Sequence, residues 1–192
     1  MKKFVTANLM NGDILCGRNE TSLEGPLIRA IVRSESNHNA TFIKHNTRGW
    51  GIGDMFPPEA TFVSLGKYER MMEHEGYGVR VLRIKDATPG ERNLMGALWQ
   101  LDLDGTPYNE RSVKRLWIMR FIRSLPWKIQ GKWCTRLYGD LCREVFPPER
   151  NIFRKIHVEG MPLKKNETPR TIENRLVQGL LIDVTDECIM EI

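Results

Sequence analysis

Between Asn11 and Ile84 the chain is cut by turn signals into short apolar or alternating runs, and this leaves few folds open to it. Asn11-Gly12-Asp13 is a turn signal, and Ile14-Leu15-Cys16 after it reads as a buried strand. Asn39 to Lys44 is a second strand, with Ala40, Phe42 and Lys44 on one face and Thr41 and Ile43 on the other. Thr47-Arg48-Gly49 turns the chain into Trp50 to Met55, an antiparallel partner whose glycines permit close backbone approach. Pro57-Pro58 breaks that strand, Thr61 to Leu65 resumes as extended chain, and Val79-Arg80-Val81-Leu82-Arg83-Ile84 alternates as another strand. The middle of the chain is thus expected to be an antiparallel meander, with helices packed on it in an α+β arrangement.

The helices are marked by their starts and periods. Thr21-Ser22-Leu23-Glu24 fits a capping box, with Leu27, Ile28, Ile31 and Val32 on one face after it. Lys67 to Glu75 is charged and locally helical. Thr88-Pro89-Gly90-Glu91 opens a helix whose stripe is expected at Leu94, Leu98 and Leu101, with Trp99 beside it. Gly105-Thr106-Pro107-Tyr108 interrupts, and a longer helix follows with Val113, Leu116, Trp117, Met119, Phe121 and Ile122 as its apolar members. Pro126-Trp127 ends it. Leu137, Leu141 and Val145 then recur at helical spacing, and Thr171 to Leu181 is helical again after a polar stretch from Asn151 to Arg170.

With 192 residues, 41% hydrophobic and 28% charged, the sequence is long enough to bury a core without staples. Residues 1–150 are expected to form the main domain and 151–192 a C-terminal extension packed on it or trailing from it. Cys16, Cys134, Cys142 and Cys188 include no CxxC pair and no His/Cys cluster, so neither a zinc site nor a disulfide framework is indicated. The first residues lack the apolar run of a signal peptide, and no stretch approaches the roughly 20 apolar residues of a membrane span. A soluble, cytoplasmic protein is the expectation. The net charge of +5 includes a dense run from Arg111 to Arg123, which reads as a solvated helix face or as a surface for a polyanion. Without an aromatic stacking platform, nucleic acid is not the expected partner.

Two residues carry chemistry by their position. Cys134 stands one turn ahead of Leu137, at a helix start where unpaired N–H groups and the helix dipole favour a thiolate. A free thiol titrates at about 8.5 and such a site brings it toward neutral pH; equally, a cysteine there can be a buried thiol with no reactivity. His38 heads the strand that begins at Asn39. It reads as a general base or as a hydrogen-bonded structural histidine, and it is a stronger candidate than His45, His74 or His157.

Taken in order, Gly12-Asp13-Ile14-Leu15, Leu27-Ile28-Arg29, Asn37-His38-Asn39-Ala40, Val79-Arg80-Val81-Leu82-Arg83, Gly105-Thr106-Pro107-Tyr108 and Trp133-Cys134-Thr135-Arg136-Leu137 form a pattern. It resembles the circularly permuted papain-like cysteine hydrolases, the YiiX-like branch of the NlpC superfamily, related in fold to the lecithin:retinol acyltransferase group. In the permuted branch the histidine precedes the nucleophile helix, as His38 precedes Cys134 here. The resemblance implies an antiparallel sheet packed against a nucleophile-bearing helix, with Cys134 as nucleophile and His38 as its base and then its acid. Family members place a polar residue, often Glu, on the strand after the histidine strand to orient the ring. Here that position falls near Gly53; Asp54 is the nearest carboxylate, with Glu59 behind it, and a turn role explains Asp54 as well. Asn37 and Asn39 stand where the family has Ser and a small apolar residue, and Tyr108 and Trp133 either line the pocket or pack beside the helix.

The function so implied is cleavage of an amide, in a peptide or peptidoglycan-type substrate, or of a lipid ester, through an acyl-thioester and without metal or cofactor. The absence of a signal peptide fits a wall enzyme only if delivery is by a phage particle or by lysis. The alternative is a non-catalytic binding or assembly module of the same fold that meets an anionic partner through its basic surface.

Overall fold

The turn-bounded runs pair edge to edge into one sheet, which satisfies their backbone N–H and C=O groups and leaves an apolar row on each face for the helices to cover. The computed structural model describes residues 1–20, 26, 29–30, 34–56, 58–74, 76–107, 134–152 and 169–192. Its elements are β1 (Lys2–Phe4), β2 (Ile14–Asn19), β3 (His38–His45), β4 (Gly49–Phe56), β5 (Glu59–Ser64), α1 (Leu65–Met72), β6 (Tyr77–Ile84), α2 (Pro89–Leu98), a π-helical turn (Trp99–Leu103), α3 (Cys134–Val145), α4 (Pro169–Val177), β7 (Leu181–Asp183), α5 (Thr185–Cys188) and β8 (Ile189–Glu191). The main sheet is antiparallel in the order β5-β4-β3-β2-β6-β7, and β1 pairs with β8 in a second, two-stranded sheet. The expected helix carrying Leu27 to Val32 lies largely outside the described residues, though 26, 29 and 30 are helical, and the one carrying Val113 to Ile122 lies wholly outside them.

Strands β2 to β5 follow one another as a meander, but β6 does not continue beyond β5. It returns along α1 to pair with β2, placing Leu82 beside Ile14 and Val79 beside Gly17. The two faces then bury different sets. Ile14, Cys16, Ile43, Met55 and Leu82 face α2, α3 and α4. Leu15, Ala40, Phe42, Ile52 and Val81 face α1, β1 and α5. No helix among the described residues is long and apolar enough to cross a membrane.

Of the stripe expected on α2, Leu98 packs against the core and the other two residues do not. Leu94 is 44% exposed and Leu101 80%, while Met95, Gly96, Trp99 and Leu103 face the core. The capping box of Thr88 and Glu91 starts the helix as its sequence implies. Trp99 stands four residues after Met95, so its indole shares the buried face, and from Trp99 the helix widens into a π turn that rotates the residues after it. That indole lies flat against the sheet: a Cβ on Gly53 would fall 2.3 Å from its ring, so only glycine permits the contact.

Asp13 ties these layers together. Its buried carboxylate accepts two hydrogen bonds from Arg83 of β6, at 2.9 and 2.7 Å, one from Arg92 of α2 at 3.4 Å, and one from the Met10 amide at 2.9 Å. Arg83 also donates to the Asn8 carbonyl and Arg92 to that of Ile84. Next to it, the Tyr138 hydroxyl of α3 donates to the Gly12 carbonyl at 2.8 Å. Gly12 has φ +82, and a Cβ there would meet the Met95 sulfur. The Gly-Asp pair at the turn is thus where a strand, two helices and the neighbouring strand are joined.

The segment leading to His38 is held from the C-terminal part of the chain. Glu173 of α4 accepts four hydrogen bonds on Oε1, from the Ser34 and Ser36 hydroxyls and the Glu35 and Ser36 amides, at 2.6 to 3.2 Å. The Asn37 side chain then pairs with both backbone groups of Asn19, extending the β2–β3 ladder by one step. Ile172 and Leu181 join the core of the first face, and β7 completes the sheet.

Replacing Asp13 by Asn removes the counter-charge that the two guanidinium groups share and leaves Arg83 only the more distant, exposed Glu187 carboxylate at 3.9 Å. The expected cost is about 3–5 kcal/mol, read as a lower urea midpoint, and a cost below about 1 kcal/mol would mean that the network does not hold the layers together.

Candidate active site

His38 is the first residue of β3, paired with Gly17 of β2. Strand alternation sets its ring on the same side as Ala40 and Phe42, the side covered by α1. Asp54 lies on that side of β4, level with Ala40, because Thr41 pairs with Gly53 and Phe42 with Ile52. The two side chains meet diagonally across the strands: His38 Nε2 is 2.5 Å from Asp54 Oδ1, with the imidazole 18% exposed and the carboxylate 3%. The sequence brings His38 and Asp54 together although 15 residues and a turn separate them in the chain.

The second oxygen of Asp54 accepts a hydrogen bond from the Tyr68 hydroxyl of α1, a buried side chain. Burial alone would push the Asp54 carboxyl up. The His38 charge and hydrogen bond, the Tyr68 hydroxyl and the Lys67 ammonium together outweigh it and hold the group below the ordinary carboxylate range. Tyr77 completes this corner, its hydroxyl resting 3.2 Å from where a Cβ on Gly17 would lie, beside the His38 backbone. Burial, and then the Asp54 charge, push its phenol far upward, so it stays protonated. With Nε2 turned to Asp54, Nδ1 is the nitrogen on which acid–base chemistry toward another group would run.

The other candidates are placed as follows. Cys134 is the first residue of α3, and its side chain lies outside the described residues. Helix α3 packs on the face opposite the His38 ring, where Leu137, Tyr138 and Leu141 meet Asn39, Thr41, Gly53 and Met55 around a cavity of about 10 Å³. Leu137, one turn beyond Cys134, thereby reaches the residue next to His38. Glu59 is exposed at the start of β5, and the carboxylate that meets the imidazole is Asp54. Asn37 is engaged with β2 and Asn39 is buried under α3. Tyr108, Trp133 and the run from Arg111 to Arg123 lie outside the described residues. Tyr68 and Tyr77 were not legible as members of the site. The one signal for Tyr68 is its i,i+4 spacing to Met72 in an otherwise charged segment, which marks it as inward-facing.

No family model matches the sequence, and no curated protein matches it. Among solved structures, the α+β fold is similar to that of the metalloprotein YiiX from Escherichia coli O157:H7. The TM-score is 0.52 and the identity 14%, over 71% of this chain and 66% of that one, just under two thirds of its length. At that identity the likeness is one of fold. Among the described residues no group of three or more His, Cys, Asp and Glu side chains is gathered to hold a metal ion. His38 and Asp54 supply two donors, and these bind one another.

Because the folded Asp54 carboxyl titrates below its ordinary range, it contributes stability above about pH 4 that is lost as pH falls through its folded value. Asp54→Asn is expected to be less stable than the wild type by about 1–3 kcal/mol at pH 7, with the gap closing toward pH 2–3. Urea unfolding at the two pH values checks this, and a gap independent of pH would remove the carboxylate charge from the account.

Proposed function

We propose that this chain is a cysteine hydrolase in which Cys134 attacks an amide or ester carbonyl and His38 moves the protons. The observation that carries the reading is the His38–Asp54 contact at the head of a strand. A surface histidine has no need of a buried carboxylate, whereas a general base needs its ring held in one tautomer. Support also comes from Cys134 at the N-terminus of α3, where backbone amides favour a thiolate, and from the fold shared with YiiX. The reading places the Cys134 thiol at the end of the sheet, where the first residue of β3 is reached past the strand's end.

In this scheme the Cys134 thiolate adds to the carbonyl carbon, and amides at the start of α3 receive the oxyanion. Imidazolium at His38 protonates the departing amine or alcohol as the tetrahedral adduct collapses to an acyl-thioester. His38, now neutral, takes a proton from water, whose oxygen attacks the thioester and releases the acid and the thiolate. Asp54 keeps Nε2–H pointed inward, so that Nδ1 does this work. Peptide or peptidoglycan-type amides and lipid esters are the substrate classes to screen.

A second reading has one observation in its favour: α3 packs on the face opposite the His38 ring. If the thiol does not reach the ring, His38, Asp54 and Tyr68 are a structural hydrogen-bond network and the chain is a binding module for an anionic partner.

Alkylation of Cys134 as a function of pH separates the two, in a protein with Cys16, Cys142 and Cys188 replaced by Ser. Those three are buried thiols, and burial together with the Asp13 charge pushes that of Cys188 to about 11. The hydrolase reading expects reaction well below pH 8, lost in His38→Ala. A profile like that of a free or buried thiol, indifferent to His38, favours the binding module.

A further inference from the structure

We propose that Tyr68 is a positioning residue that aims His38 and sets its basicity through Asp54. The inference deepens the hydrolase reading and rests on it for its catalytic meaning. Its geometry stands on its own. The two oxygens of Asp54 are divided between two partners: Oδ1 faces His38 Nε2 and Oδ2 takes the Tyr68 hydroxyl. A carboxylate held at one oxygen can swing about its Cβ–Cγ bond; one held at both cannot without breaking a buried contact. Tyr68 is itself fixed, since it lies in α1 with Met72 packed in the second-face core beside Ile52 and Ala40.

The hydroxyl also acts on charge. A phenol donating to Oδ2 draws negative charge away from Oδ1, and so weakens the pull of Asp54 on the proton at His38 Nε2. The described groups that face this corner are Asp54 from β4, Tyr68 and Lys67 from α1, and Tyr77 from β6. Tyr77 contributes a neutral phenol with no hydrogen bond to Asp54 among the described contacts, which makes it the natural comparison. Of these groups, Tyr68 alone both touches the carboxylate and keeps a neutral charge at working pH, so removing its hydroxyl changes the hydrogen bond without adding or deleting an ion.

The test is the NMR titration of the His38 ring in the full chain, assigned against His38→Ala. In Tyr68→Phe the midpoint is expected to rise by roughly half a pH unit, and in Tyr77→Phe to stay close to the wild type. A purely structural tyrosine would lower stability and leave the midpoint where it was. An unmoved midpoint in folded Tyr68→Phe therefore overturns the proposal, and so does an equal rise in Tyr77→Phe. If Tyr68→Phe does not fold, 3-fluorotyrosine at position 68 carries the comparison. Its more acidic hydroxyl donates more strongly, so the midpoint is expected to fall, and no shift overturns the proposal. Cys134 alkylation in the same variants keeps the two claims apart. A moved His38 midpoint with an unreactive Cys134 leaves Tyr68 in its role and removes the hydrolase. An unmoved His38 midpoint with a Cys134 profile that depends on His38 does the reverse.

Discussion

The buried carboxylate of Asp13 is the contact from which the rest of the architecture follows. Four N–H donors from three parts of the chain converge on it, three of them from the guanidinium groups of Arg83 and Arg92, in a place where an unpaired charge would be costly. By fixing Arg83 it sets the register of β6 against β2, and by fixing Arg92 it sets α2 on the first face. Burial favours the uncharged form of the Arg92 side chain, whereas the Asp13 hydrogen bonds outweigh burial at Arg83 and push it up. The Gly-Asp-Ile-Leu run is thus a structural motif: its glycine admits Met95, its aspartate joins the layers, and its apolar residues enter one face each.

On that frame the site needs little more than strand alternation. Once Thr41 is opposite Gly53, His38 and Asp54 are on one side of the sheet and within reach, and α1 arrives over them with Tyr68 because the β5–α1 connection turns onto the same face. The carboxylate is buried and yet stays ionised because the His38 ring, the Tyr68 hydroxyl and the nearby Lys67 charge together offset its burial. The entrance to the strand is held by Glu173, so the C-terminal residues stabilise the approach to His38 as well as adding β7.

Much of this was legible in the sequence, and the parts that were not have physical reasons. Alternation and turn residues located β2 to β6, and the assignment of Ala40 and Phe42 to one face and Ile43 to the other agrees with the packing. The place of β6 beside β2 was not legible, since pairing partners depend on where α1 carries the chain. Strands β1, β7 and β8 are three residues each, too short for a period to register. Of the Leu94, Leu98 and Leu101 stripe only Leu98 packs against the core: the buried face of the helix runs through Met95 and Trp99, one position further on than Leu94 and Leu98, and the π turn from Trp99 alters the spacing of Leu101. Asp54 was singled out by the resemblance, as the nearest carboxylate to the family's orienting position, and the β3–β4 pairing brings it to His38, while Tyr68 comes from a different element and left only its spacing to Met72.

In the proposed mechanism the Cys134 thiol and the His38 ring act as one unit, although α3 packs on the other face of the sheet. The most direct measurement is the NMR titration of His38 in the full chain with Cys134 intact and with Cys134→Ala. A thiolate beside the imidazolium stabilises it, so the account expects the His38 midpoint to fall clearly when the thiol is removed. An identical titration in the two proteins would contradict it, and would leave His38, Asp54 and Tyr68 as a network that holds the fold.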